Sequence, residues 1–132
     1  MKILIAEDDF ISRTLLQEIL VVLGICHVAM DGVEAMAAYQ QALDMKEPYD
    51  LICLDIMMPN LNGQEVLKQI RDIEKERGIW GSAMAKIIMV TALDDPKNIM
   101  TALIKGSCEA YLVKPVDRDK LMTELKRLGL QG

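Results

Sequence analysis

Four places in this sequence set a residue that can hold or neutralise charge directly after a short apolar run. Glu7-Asp8-Asp9 follows Ile3-Leu4-Ile5-Ala6, and Asp55 follows Leu51-Ile52-Cys53-Leu54. Thr91 follows Ile87-Ile88-Met89-Val90, and Lys114 follows Ala110-Tyr111-Leu112-Val113. Clustered carboxylates resist ionising side by side. A hard divalent cation removes that conflict, and Mg²⁺ in particular takes one or two carboxylates, several waters and a phosphate oxygen. Lys114 supplies a second positive charge, and the Thr91 hydroxyl can donate to a phosphate oxygen. The set fits phosphoryl transfer, in which catalysis is mostly positioning and charge neutralisation. An aspartate is a suitable nucleophile for phosphorus and gives an aspartyl phosphate. Taken singly these residues say little, because an acid after a strand is usually a turn residue or a helix cap. Asp9, Asp94, Asp95 and Asp117 read as such caps.

The four residues reach one edge only if the apolar runs are neighbouring strands. A fifth run, Cys26-His27-Val28-Ala29, brings nothing polar until Asp31. The runs are mostly continuous rather than alternating, the pattern of strands covered on both faces. Between them lie helical spacings. Leu16, Ile19, Leu20 and Leu23 mark the first, ended by Gly24. Val33, Met36, Ala37 and Leu43 mark the second, and Val66, Leu67 and Ile70 the third. Ile99, Leu103 and Ile104 follow Asp95-Pro96 in the fourth, and Leu121, Leu125 and Leu128 follow Asp117 in the last. Alternation of this kind predicts an α/β fold with a parallel sheet, right-handed crossovers and helices on both faces. Ligands then bind beyond the carboxyl ends of the strands. The stretch Gly78–Ala85 reads as a loop in which Trp80 packs as an anchor or faces a partner, the anchor being the preferred reading.

The bulk composition agrees. A chain of 132 residues that is 52% hydrophobic can bury a core without disulfides. A net charge of −5 and the absence of a basic patch speak against nucleic acid as a direct partner. Cys26, Cys53 and Cys108 form no C-x-x-C pair and read as buried free thiols in a reducing compartment. No signal peptide and no bilayer-spanning run are expected, so the reading is cytoplasmic, with no membrane partner. His27, the one histidine, reads as structural.

The segment Leu54-Asp55-Ile56-Met57-Met58-Pro59-Asn60-Leu61-Asn62-Gly63 resembles the phosphorylation-site motif of the receiver (CheY-like) domains of bacterial two-component response regulators. Glu7-Asp8, Asp31-Gly32-Val33-Glu34-Ala35, Val90-Thr91-Ala92 and Lys114-Pro115 match that family in the same order, so the resemblance covers nearly the whole chain. It implies a flavodoxin-like (βα)5 sheet, strand order 2-1-3-4-5, as one receiver domain over residues 1–132 with no output domain. It also implies roles. Asp55 would be the phosphoacceptor. Mg²⁺ would be held by Asp8, by Glu7 mainly through water, by Asp55 and by the backbone carbonyl of Met57. Thr91 would bind the phosphoryl oxygen, Tyr111 would be the aromatic switch residue, and Lys114, cis to Pro115, would neutralise the acyl phosphate. Arg13, similar to a common first-helix arginine, sets the acidic pair at Glu7-Asp8.

The implied function is a switch that helps its own phosphorylation and dephosphorylation without being a turnover enzyme. Its partners would be a sensor histidine kinase or a histidine phosphotransfer protein, and an unknown downstream protein that reads the surface of the fourth helix, fifth strand and fifth helix. Its state would be a monomer or a phosphorylation-dependent homodimer. A Mg²⁺-dependent phosphohydrolase would want an acid at position 57, where Met57 stands. A degenerate, phosphorylation-independent module would not need the intact set Glu7, Asp8, Asp55, Thr91 and Lys114. A nucleotide-binding role lacks a Gly-rich phosphate loop. The apolar Met57 and Leu93 sit where the family tunes access of water to the phosphate, so slow self-dephosphorylation is expected. Following the phosphorylated form over time tests this: Met57→Asn or Leu93→Glu should shorten its lifetime, and an already short lifetime that neither change alters would refute it.

Overall fold

The structure, a computed structural model, describes residues 1–130, so Gln131 and Gly132 of the expected 1–132 domain lie outside the described residues. Its five strands are β1 (Lys2–Ala6), β2 (Ile25–Ala29), β3 (Leu51–Leu54), β4 (Lys86–Thr91) and β5 (Ala110–Val113). All neighbours run parallel, in the order β2-β1-β3-β4-β5. The helices are α1 (Phe10–Leu20), α2 (Gly32–Asp44), α3 (Gly63–Glu76), α4 (Pro96–Met100) and α5 (Arg118–Arg127). This is the expected flavodoxin-like α/β architecture.

Successive strand residues point to opposite faces. Ile3, Ile5, Leu51, Cys53, Ile88 and Val90 therefore pack with Leu16 and Leu20 of α1 and Leu121 and Leu125 of α5. Their alternates Leu4, Ala6, Ile52, Leu54, Ile87 and Met89 pack with Met36 of α2 and Val66, Leu67 and Ile70 of α3. Because β1, β3 and β4 lose both faces to helices, their inner residues are apolar, and the polar Lys2, Lys86 and Thr91 stand at strand ends. Each helix opens on a carboxylate or amide. Asp9, Asp31, Asn62, Asp95 and Asp117 each accept a backbone N–H of the first turn. Asn62 and Glu65 do so reciprocally, so asparagine serves as an N-cap here.

Four expectations need correction. β2 is an edge strand that the helices cover only in part, so Ile25 and Val28 are exposed and Cys26 is half-buried rather than buried. Helix α2 buries Ala35, Met36, Tyr39 and Ala42, leaving Val33 and Ala37 outside; Tyr39 carries the largest apolar surface on that helix, and enclosing it sets the rotation. After Met100 the chain continues as a π-helical turn, Thr101–Lys105, closed by the Gly106 N–H donating to the Thr101 carbonyl at 2.8 Å. The wider turn shifts the helical register. Ala102 is buried in the core, while Leu103 and Ile104, expected inside, are exposed. Trp80, expected as an anchor, is 63% exposed.

Sequence reading also passed over a buried ion network at the amino end of the sheet. Glu74 continues the spacing of Leu67 and Ile70, so helical periodicity places it on the buried face. It pairs with Arg71 at 2.7 Å and accepts the Ala85 N–H at 2.8 Å. Arg71 also donates to Glu109 at 2.9 Å and to the carbonyls of Ala85 and Ser107. Removing Glu74 leaves the buried Ala85 N–H without its acceptor and Arg71 with one carboxylate, Glu109, in place of two. Glu74→Ala should therefore lower stability by about 3 kcal/mol, read as a lower urea midpoint; a change within experimental error would mean that the network relaxes without cost.

Candidate functional site

The turns after β1, β3, β4 and β5 meet at the carboxyl edge of the sheet. Register does this: Ala6 pairs with Leu54, so Glu7 and Asp55 leave neighbouring strands together. The Asp55 N–H donates to the Ala6 carbonyl and the Glu7 N–H to the Ala29 carbonyl, both at 3.0 Å. Carboxylate oxygens of Glu7, Asp8 and Asp55 lie within 4.8 Å of one another. Glu7 and Asp55 are buried, and Asp8 is exposed.

Lys114 answers this negative charge. Its ammonium donates to Asp55 Oδ2 at 2.8 Å and stands 2.6 Å from Glu7 Oε1. The second approach is close but lacks hydrogen-bond alignment, so the buried Glu7 Oε1 has no hydrogen-bond partner. Burial pushes the Glu7 carboxyl up to about 7, and Asp55 adds to the rise against the pull of Lys114. For Lys114 itself burial works against the charge, yet the hydrogen bond to Asp55 and the close carboxylates of Asp55 and Glu7 outweigh it and hold its pKa above the ordinary value. The backbone beside it is fixed by the Lys114 N–H donating to the Thr91 carbonyl at 2.8 Å, and the Lys114–Pro115 bond is cis.

The other expected residues surround this cluster. Thr91 is fully buried, and its Oγ1 accepts the Leu93 N–H at 3.4 Å. Tyr111 is half-buried and donates to the Leu93 carbonyl at 2.6 Å. Neither hydrogen-bonds Asp55; both attach instead to the turn between β4 and α4. The Met57 N–H donates to Asp55 Oδ1 at 3.1 Å, while its side chain is exposed. Met58 is buried in loop packing. His27 sits away from the cluster, its Nδ1 2.8 Å from the Tyr49 hydroxyl.

Several positioning contacts were not foreseen. Arg13 donates to the carbonyls of Glu7 and Asp8, at 3.1 and 3.2 Å, and so ties down the acidic turn. Asn60, at a positive φ of 70°, donates to the α2 cap Asp31 at 2.8 Å. A Cβ on Gly32 would lie 1.9 Å from the Leu61 carbonyl oxygen, and one on Gly63 would lie 2.2 Å from that of Asp55. The turn that carries Asp55 is thus clamped on both sides, and the glycines of the Asp31-Gly32 and Asn62-Gly63 pairs were the available signal.

The atoms of the cluster able to ligate a metal are all carboxylate oxygens, and one belongs to Glu7, whose charge burial disfavours. Such a set suits a hard divalent cation, and the aspartate carboxylate beside it, already paired with an ammonium, can act as a nucleophile for phosphorus.

Comparison with known proteins points the same way. The family described as "Response regulator receiver domain" matches residues 3–126. The chain is 28% identical to the chemotaxis protein CheY of Treponema pallidum, over 94% of this chain and 79% of that protein. It is 32% identical to the osmosensing histidine protein kinase SLN1 of Saccharomyces cerevisiae, over 94% of this chain but only 10% of the kinase. Among solved structures, a chain in the co-crystal of the yeast histidine phosphotransfer protein Ypd1 with the receiver domain of Ssk1 is similar with a TM-score of 0.82 and 31% identity, covering 98% of this chain and 88% of that one. A chain in the CheX-CheY-BeF3-Mg complex of Borrelia burgdorferi matches with a TM-score of 0.81 and 27% identity, covering 98% and 89%.

The raised Glu7 carboxyl has a consequence for stability. In the unfolded chain this group loses its proton near the ordinary value of 4.5, and in the fold only at about 7. Between those values the folded state holds more protons, so stability falls as pH rises through the window. Urea unfolding without divalent cation should therefore give a higher midpoint at pH 5 than at pH 7.5, and Glu7→Gln should flatten the difference. A midpoint that climbs with pH in the wild type would refute the raised value.

Proposed function

Given that the chain belongs to the response regulator receiver domain family, we propose that it is a phosphoacceptor switch whose phosphorylated residue is Asp55. The observation that carries this is the grouping of Asp55 with Glu7, Asp8 and Lys114 at one strand edge. Asp55 attacks the phosphorus of a phosphohistidine on a partner protein. The new bond joins a carboxylate oxygen to phosphorus, the nitrogen–phosphorus bond breaks, and its electron pair returns to the imidazole. The donor is a sensor histidine kinase or a histidine phosphotransfer protein, a reading supported by the likeness to a chain of the Ypd1–Ssk1 receiver co-crystal and to part of the histidine kinase SLN1.

Glu7, Asp8, Asp55 and the Met57 carbonyl are the groups we assign to Mg²⁺, which when bound supplies positive charge to offset that gathering on the phosphoryl oxygens. Lys114 neutralises the same charge from the other side. Its ammonium already touches both Asp55 and Glu7, so little reorganisation is needed. Thr91 gives up its weak contact with the Leu93 N–H and donates to a phosphoryl oxygen. That exchange disturbs the turn to which Tyr111 is also bonded, and so links the site to the face of α4, β5 and α5. Met100, Leu103, Ile104 and Val113 are exposed there, an apolar patch that supports reading by a downstream protein or by a second copy. We read residues 1–132 as one receiver domain acting in the cytoplasm, working by changing shape rather than by turning over a substrate. Among the described residues no helix is long and apolar enough to cross a membrane.

Intact-protein mass spectrometry after incubation with acetyl phosphate tests the proposal. A single phosphoryl adduct should form with Mg²⁺, disappear without it, and be missing in Asp55→Asn. Lys114→Ala should cut the rate of adduct formation by about 100-fold, the usual weight of one preorganised charge at a transition state. An adduct that persists in Asp55→Asn would move the acceptor elsewhere.

A further inference from the structure

Trp80 is the chain's single tryptophan, and it is 63% exposed although only 4% of the residues are aromatic. A large apolar ring left in water needs an explanation, and the role of loop anchor does not supply one. Trp80 lines a groove of about 520 Å³ between α3, the 78–85 loop and the π-helical turn after α4. That volume lies in the range of small-molecule sites. Ile79 and Met84 add half-buried apolar surface beside it.

The groove's charges sort into used and unused. Arg71 and Glu74 belong to the buried network beneath it. Lys68 pairs with Asp72 at 3.0 Å, and Glu65 closes the capping box of α3. Lys75 on α3 and Lys105 on the π-helical turn line opposite walls and have no acidic partner among the described residues. Lys46, Lys86, Lys97, Lys120 and Lys126 also form no salt bridge among the described residues, so what distinguishes Lys75 and Lys105 is the exposed indole that lines the same groove.

We propose that this groove binds a small flat aromatic molecule carrying an anionic group, its ring against Trp80 and its charge toward Lys75 and Lys105. An aromatic ring provides the apolar contact of an interaction hot spot at low entropic cost, and two cations of one sign select against a positively charged ligand. None of Glu7, Asp8, Asp55 or Lys114 lines the groove.

The probe is naphthoate, with naphthylmethylamine as its cationic counterpart, each titrated into nitrogen-labelled protein and followed by N–H NMR. The single indole N–H signal reports Trp80 directly. Naphthoate should shift that signal saturably, together with the backbone signals of Lys75 and Lys105, and the amine should not. Trp80→Ala should abolish the shifts at the two lysines, and the double variant Lys75→Glu/Lys105→Glu should weaken binding by about tenfold. All three side chains are exposed, so the variants keep the fold, checked by unchanged signals elsewhere. Absence of saturation, equal binding of amine and naphthoate, or undiminished binding to Trp80→Ala would each overturn the proposal. Asp55→Asn should bind naphthoate as the wild type does, which separates this test from that of the phosphoacceptor.

Discussion

Three carboxylates share one corner of the sheet with a single ammonium group, that of Lys114. Everything else at the carboxyl edge is arranged around that imbalance. The ammonium holds Asp55 by a hydrogen bond and reaches Glu7 without forming a second one. The leftover negative charge shows in Glu7, whose carboxyl is pushed toward neutral pH by burial and by its neighbour. Water cannot relieve the conflict, because Glu7 and Asp55 are both shielded from it. The site is therefore under-charged with cations, and that is the property a phosphoacceptor needs, since it must accept a dication and then a phosphoryl group.

Holding carboxylates this close requires a rigid frame. The frame comes from pairing Ala6 with Leu54, which aligns Glu7 and Asp55, and from sandwiching β1, β3 and β4 between two apolar layers. Local contacts refine it. Arg13 grips the carbonyls behind the acidic pair, and Asn60, Gly32 and Gly63 press the turn after Asp55 against α2 and the sheet end. The opposite end of the sheet is locked differently, by the buried Arg71, Glu74 and Glu109 network. The two ends thus have different chemistry: one is satisfied internally and the other keeps surplus negative charge. Between them the turn after β4 is the softer part. It bonds both Thr91 and Tyr111, and it leads into the short α4 and its π-helical continuation.

The amino-acid sequence alone was enough to place the five strands, the helix caps Asp9, Asp95 and Asp117, and the strand ends at which Glu7, Asp8, Asp55, Thr91 and Lys114 stand, though Asp94, read as a cap, precedes the true cap Asp95. These were legible because each depends on local pattern: apolar runs for covered strands, an acid or amide before a helix, a motif beyond Asp55. Tertiary structure decided the rest. Only the packed fold shows that Lys114 reaches two carboxylates, that Glu7 Oε1 is left without a hydrogen bond, and that Asn60 caps into Asp31 from across the chain. It also turned Leu103 and Ile104 outward, bared β2, and left Trp80 in water against expectation. Periodicity assumes regular helices and fully covered strands, whereas a π-helical turn and a sheet edge break both assumptions. Residue type and spacing specify what a segment can bury; which surfaces remain open, and which charges meet, depends on packing between segments distant in sequence.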